Sequence, residues 1–412
     1  MQKFQDYLVE DKNTHLEHLE DEIINNGSRG AKTAIEFLKS IKQMLQGGSG
    51  GSTVSVKWDG APAVFCGINP ENGKFFVGTK SIFNKTPKIN YTNADISRNH
   101  GGALADKLKE CLKYLPSLGI SGILQGDLLF ASGDKKTANV AGKKSIIFTP
   151  NTITYAVPVV SSGFLGLGRN IYKEVNGAKI GIIFHTSYSG KTMATLKAGF
   201  GANVRGLKKS KNVFFDDATY KRADGAAFSP AEEKAFDNII RMAEGSAYKA
   251  GAFVDKLKKD TGPLSLGVQM KTFFNVYIRQ GTAITNTKKL ANNFEVYFRD
   301  RIKKEIASKK TAAAKQKYEE ILEAGMKILR PNKDGLYFAI ATYITFQSAK
   351  AVLLRKLNTI QSIGSFLRTK NGYKVTNPEG YVAIQKGGAV KLVDRLEFSR
   401  ANFNMAKDWV KG

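Results

Sequence analysis

Residues 231–370 carry helical periodicity almost end to end, yet strand-like sequence lies on both sides of them. The segments "AEEKAFDNIIRMAEGSAYKAGAFVDKLKK", "ANNFEVYFRDRIKKEIASKKTAAAKQKYEEILEAGMKIL" and "GLYFAIATYITFQSAKAVLLRKLNTI" repeat apolar residues three and four apart. Before them, "TVSVKW", "AVFCGI" and "KFFVGTKSIF" alternate or run apolar, with "NPENGK" as the turn between the last two. "GILQGDLLF" (122–130), "KSIIFTP" (144–150), "TITYAVPVV" (152–160) and "AKIGIIFHTSY" (178–188) continue that texture, while residues 102–115 read as helix. After the helical block, "GYVAIQKGGAVKLVDRLEF" (380–398) reads as a hairpin around Gly387-Gly388. A chain that leaves sheet for helix and returns to sheet is best read as one sheet domain with an insertion. The expected class is α+β and mainly antiparallel. Its parts are N-terminal helices at 1–50, the first part of the sheet domain at 51–230, a helical insertion at 231–370 and final strands at 371–412.

In the first of these parts, "HLEHLEDEIINNG" reads as a short helix ending at Asn26-Gly27, and "AKTAIEFLKSIKQML" as an amphipathic one closed by "QGGSGGS". His15 and His18 stand one turn apart there, and a solvated helix face is a better reading of them than a metal site. The formal net charge of +27 suggests a polyanionic partner, nucleic acid before a membrane surface. The charge is uneven: residues 1–50 carry about −2 and residues 201–370 about +16. A solvated basic surface without a specific role is the alternative. Aromatics interleave with cations in "FFNVYIRQ" and "FEVYFRDRIKK", where they either stack bases or form the helical core. No apolar run approaches the roughly 20 residues that span a bilayer. Two cysteines, Cys66 and Cys111, make no disulfide framework and suit a reducing interior. The expected setting is cytoplasmic, and the expected state monomeric.

The chemistry centres on "TVSVKWDGAPAVFC", where Lys57 and Asp59 stand at a tight turn between two apolar segments. A core accepts neither charge unpaired. Either the turn is a solvated hairpin or Lys57 points into a pocket. "SGKT" at 189–192 lacks the glycine that a phosphate-binding loop needs five residues before Gly190, because His185 stands there. "GFLGLGRN" (163–170) lacks dinucleotide-binding spacing.

Lys57-Trp58-Asp59-Gly60 after a strand resembles the first motif of the covalent nucleotidyltransferases, the ATP-dependent DNA and RNA ligases and the mRNA capping enzymes. Later elements follow in family order: Thr79, Lys80 and Ser81 in "FFVGTKS", Asp127 in "LQGDLLF", Phe184 in "IGIIFHTSY", Glu379 and Gly380 in "PEGYVAI", and Lys391 in "AVKLV". The matched elements lie within residues 53–190 and 375–400. The chain departs from the pattern at Pro62, where many DNA ligases carry arginine, and at Val393, where the last motif usually has a second lysine. Few residues follow Lys391, too few for the small β-barrel that follows it in DNA ligases and capping enzymes. The resemblance therefore leans to a divergent, phage-type ligase, which would act in host cytoplasm if phage-encoded.

The resemblance implies an antiparallel-sheet adenylation domain, with ATP and Mg²⁺ (or Mn²⁺) as cofactors and nicked or broken DNA, RNA or hybrid duplex as partner. Lys57 would attack the ATP α-phosphorus, and Lys391 would neutralise charge developing on that phosphate. Val56, Asp59, Gly60, Lys80, Asp127, Phe184 and Glu379 would hold the nucleotide: Asp127 on the ribose, Phe184 stacked on adenine, Lys80 on phosphate. Asp59 and Glu379 would hold the metal. A core aromatic is the competing reading of Phe184, a solvated loop lysine that of Lys80, and a plain turn residue that of Glu379. AMP transfer to another acceptor and a non-catalytic nucleic-acid binder are the alternatives to end joining.

Overall fold

The computed structural model describes residues 16–47, 51–159, 170–218, 227–260, 262–358, 364–369, 372–376, 379–385 and 388–396. The chain opens with helix α1 (Glu22–Leu45), kinked at Gly27, where φ is 62°, so the expected stop at Asn26-Gly27 is a bend within one helix. Strands β1 (Thr53–Lys57), β2 (Ala63–Ile68) and β3 (Phe75–Gly78) follow, then helices α2 (Asn93–Asn99) and α3 (Gly102–Tyr114). Next come β4 (Ile123–Phe130), β5 (Lys136–Val140), β6 (Lys143–Phe148), β7 (Thr154–Pro158), α4 (Ile171–Gly177), β8 (Ile180–Ser189), β9 (Lys197–Phe200) and β10 (Val213–Asp217). The helical block comprises α5 (Pro230–Lys259), α6 (Leu266–Arg279), α7 (Thr287–Ser308), α8 (Ala312–Leu329) and α9 (Lys333–Asn358). Strands resume at β11 (Gly364–Thr369) and β12 (Gly372–Thr376), ahead of β13 (Gly380–Gln385) and β14 (Gly388–Leu392). The helical run thus stops at Asn358, and β11 falls inside the stretch read as helical insertion.

Side-chain caps punctuate that block. Ser229, Ser265, Asn286 and Thr311 each accept the backbone N–H three residues on, at the starts of α5, α6, α7 and α8. Ser229 and Glu232 complete a capping box around Pro230, and three lysines in the last turn of α5 oppose its dipole. The cap at Thr311 divides what reads as one long helix into α7 and α8.

The strands form three sheets. A small antiparallel sheet has the order β1-β13-β14, a larger one β10-β8-β4-β2-β3 with β9 beside β8, and a third β12-β11-β7-β6-β5. Among the described strands only β10 and β8 pair in parallel, so the fold is α+β with antiparallel sheets. β5, β9 and β10 escape a periodicity reading because "KTANV", "KAGF" and "VFFDD" are too short or too polar to stand out.

The helices do not keep a core to themselves. Leu19, Phe37 and Leu38 of the N-terminal segment, Phe253, Phe274 and Phe346 of the helical block, and Tyr381, Ala383 and Leu392 of the small sheet bury together in one cluster. Each buried Leu or Phe side chain contributes about 1.5–3 kcal/mol by leaving water. Phe273, Phe274, Phe294 and Phe298 are all buried there, so the aromatics of "FFNVYIRQ" and "FEVYFRDRIKK" are mostly core. Arg299 and Arg301 stand outside, paired along the helix with Glu295 and Glu305. A second core lies between one face of the large sheet and α3, and a third between its other face and the β5–β7 sheet.

Beneath the small sheet lies a sealed charge network. Lys350 on α9 donates to both carboxylate oxygens of Glu20, at 2.6 and 2.7 Å. Arg395 reaches Asp21 at 3.3 Å and the Tyr343 hydroxyl at 2.6 Å. Among the described residues, no helix is long and apolar enough to cross a membrane.

Candidate active site

β1 and β2 do not pair with each other: β1 runs beside β13, and β2 runs between β3 and β4. The stretch 58–62 is therefore a crossing between two sheets, not a hairpin. It is held tightly. Asp59 is buried, and its Oδ1 accepts from the Asn151 amide at 2.7 Å. Its Oδ2 accepts the N–H groups of Thr152 and Ile153, at 2.6 Å each, and its own N–H donates to the Tyr155 hydroxyl at 2.7 Å. A methyl group on Gly60 would come within 2.5 Å of the Asp127 Cβ, which is why the crossing carries glycine where it presses on β4. Ala61 N–H donates to the Leu128 carbonyl at 3.0 Å, and Leu128 N–H to the Pro62 carbonyl at 3.1 Å.

Lys57, at the end of β1, lies opposite Gly380 in the ladder, and its amine forms an ion pair with Glu379. Gly380 has φ 154°, and a Cβ there would meet the Leu392 carbonyl oxygen at 2.4 Å. Lys391 on β14 lies opposite Val382, one strand from Lys57. Burial first, and then the neighbouring Lys57 charge, bring the Lys391 amine down to about 8. Burial raises the Glu379 carboxyl above its usual range, against the pull of Lys57, and Asp59 and Asp127 add to the rise. A backbone bond from Lys391 N–H to the Glu17 carbonyl, 2.9 Å, ties this strand to the N-terminal segment.

A cavity of about 390 Å³ opens between the small and large sheets, and Val56, Lys57, Lys80, Asp127, His185 and Lys391 line it. Of the residues expected from sequence, Val56, Lys57, Lys80, Asp127 and Lys391 meet at this wall, and Glu379 joins them through Lys57. Three do not face it. Gly60 shapes the crossing, Asp59 anchors it, and Phe184 is fully buried against Cys66, Leu108 and Cys111. Phe184 lies opposite Gly126, so its side chain points to the face away from Asp127. The ladder slips between Gln125 and Gly126, which leaves His185 as the extra residue of a bulge and aims it at the cavity. His185 Nε2 stands 3.7 Å from Asp127 Oδ1, and its Nδ1 is 2.8 Å from the Thr186 hydroxyl. The polar His185-Thr186 pair in an otherwise apolar run was the available signal for it.

The two residues expected to hold Mg²⁺ or Mn²⁺ are engaged elsewhere. Both Asp59 oxygens are taken by hydrogen bonds, and Glu379 is committed to Lys57. Among the described residues, no group of three His, Cys, Asp or Glu side chains is placed to hold a metal. His15, Gly387 and residues 163–169 of "GFLGLGRN" lie outside the described residues.

The fold and site define an α+β protein with a lysine-lined cavity between two sheets, built from the two ends of its sequence. The chain belongs to a family of unknown function (DUF6267), whose pattern matches residues 13–407. No curated protein and no solved structure matches it.

Proposed function

We propose that this protein is an ATP-dependent polynucleotide ligase of the covalent nucleotidyltransferase type. One observation carries the reading: Lys57 meets Glu379 and faces a cavity shared with Lys391, Lys80 and Asp127. A lysine in water is protonated and a poor nucleophile. Glu379 is placed to take the Lys57 proton, because a buried carboxylate favours its protonated form. The freed lone pair attacks the ATP α-phosphorus. An N–P bond forms, the P–O bond to pyrophosphate breaks, and Lys391 offsets the charge that gathers on the phosphate. A 5′-phosphate oxygen then attacks the lysyl-AMP phosphorus, the N–P bond breaks, and the lysine recovers a proton. A 3′-hydroxyl finally attacks the activated 5′-phosphorus and AMP leaves. The basic surface, at +27 overall, supports a nucleic-acid acceptor.

The test is incubation with α-labelled ATP, with and without Mg²⁺ or Mn²⁺, followed by denaturing electrophoresis. Wild type gains label and Lys57→Ala does not; equal labelling of the two, or none in wild type, sinks the reading. Joining assays on nicked DNA, RNA and hybrid duplexes then assign the substrate. The committed oxygens of Asp59 and the buried Phe184 favour a second reading, a ligase-like scaffold that adenylates another acceptor or binds strands without chemistry. Label on Lys57 without any joined product supports the former, and salt-dependent strand binding without label the latter.

A further inference from the structure

The cavity has two ends of unlike chemistry. Lys57, Lys391 and Lys80 supply cations at one end, beside Asp127. Gln125 projects from the same face of β4 two residues away, about 7 Å at the usual strand rise. Beside it stand its ladder partners Phe65 and Thr186 and the Tyr188 ring, none of them charged, and Phe200 and Ile384 also line the cavity. A nucleotide has the same polarity, with phosphates at one end and an uncharged base at the other.

The uncharged end contains one oriented amide. The Tyr188 hydroxyl donates to Gln125 Oε1 at 2.8 Å. Tyr188 itself is wedged between Phe65 and Phe83, with ring centroids 5.5 and 5.6 Å away. In this bond the amide oxygen takes the phenol proton, which leaves the amide nitrogen for other partners. Burial keeps the phenol well above its usual range, and it remains a donor throughout the working pH range. Gln125 therefore presents a defined edge: two N–H donors on Nε2 and one remaining lone pair on Oε1.

We propose that Gln125, oriented by Tyr188, is the base-specificity residue and selects adenine over guanine. The Nε2–H group donates to adenine N7, and Oε1 accepts from the exocyclic N6 amine, the bidentate pattern that glutamine makes with adenine. Guanine would set its O6 acceptor against Oε1, and two acceptors face to face leave both unpaired. The inference rests on the nucleotide-binding reading above for the identity of the occupant.

Equilibrium dialysis with labelled ATP and GTP tests it on the full chain, alongside covalent labelling of Lys57. Wild type favours ATP by roughly 10–100-fold, the range a good bidentate pair supplies. Gln125→Leu brings the two affinities within about threefold of each other. Tyr188→Phe keeps the ring and frees the amide, so the ratio falls a few-fold while ATP affinity changes little. Gln125→Glu presents acceptors only and weakens ATP more than Gln125→Leu does. An unchanged ATP-to-GTP ratio in both Gln125→Leu and Tyr188→Phe overturns the proposal, as does a wild type that binds the two nucleotides equally or not at all. A wild type that prefers ATP through Gln125 yet never becomes labelled keeps the specificity assignment and removes the ligase. Normal labelling with an unaltered ratio in the variants does the reverse.

Discussion

Two charge clusters lie on either side of the small sheet, and they are built on opposite terms. In the sealed one, Lys350 meets Glu20 and Arg395 meets Asp21, with opposite signs in contact and side chains almost wholly buried. In the open one, Lys57 pairs with Glu379, but Lys391 stands beside it as a second cation that burial and repulsion push towards its neutral form. The first arrangement satisfies its buried charges with one another, although burial still lifts the Asp21 carboxyl to about 6. The second leaves like charges close together next to a cavity, which costs stability unless a dianionic group sits between them. The contrast is between opposite charges sealed in the core and like charges set beside a cavity.

The largest expected effect falls on the open cluster. Lys57→Ala lowers adenylate labelling by at least about 10³-fold, as loss of a covalent nucleophile does, and leaves the melting temperature within a few degrees of wild type. Labelling that survives would place both clusters in the structural class. Next comes the sealed cluster, where Lys350→Met leaves the Glu20 carboxylate with only Arg395, 4.0 Å away, and costs about 3–5 kcal/mol of stability, read by thermal or urea unfolding. A variant as stable as wild type would mean that Glu20 finds another partner and that the network is not what binds α9 to the N-terminal segment.

Lys391→Met sharpens the contrast through pH. The native state holds the Lys391 amine near 8, whereas the unfolded chain titrates near 10.5. Between those values the native state binds fewer protons, so stability rises with pH across the window. Removing the amine therefore stabilises the protein at pH 7, by no more than about 3.4 kcal/mol, and the gain shrinks from pH 8 towards pH 10.5. The same variant loses labelling. A variant that is less stable than wild type at pH 7 would break the contrast. The smallest effect is at Phe184, where Phe184→Leu costs about 1 kcal/mol in the core and leaves nucleotide affinity within twofold of wild type. A tenfold loss of affinity would return that residue to the cavity.

The legible parts of the molecule are those that periodicity and short motifs encode. Lys57, Asp127 and Lys391 stand out as charges in apolar strands and Glu379 as the acid just before one, and the structure brings all four to one place. Pairing was less legible. The apolar runs on either side of "KWDGAP" look like hairpin arms, but ladder partners are chosen across the fold, and β1 finds β13. His185 and not Phe184 faces the cavity because a strand's two faces differ by one residue, and a bulge in β8 decides which is which. Asp59 reads as a metal ligand until its partners in Asn151, Thr152 and Ile153 are seen, and those contacts span more than ninety residues.

The union of β1 with β13 also orders events during synthesis. Lys57 leaves the ribosome early, yet the strand that aligns it, the acid it pairs with and the second lysine are all translated after the helical block. A chain that stops before residue 379 holds the amine without the strand and the carboxylate that position it. The arrangement around Lys57 therefore forms only once both the first strand and the segment after the helical block have been made.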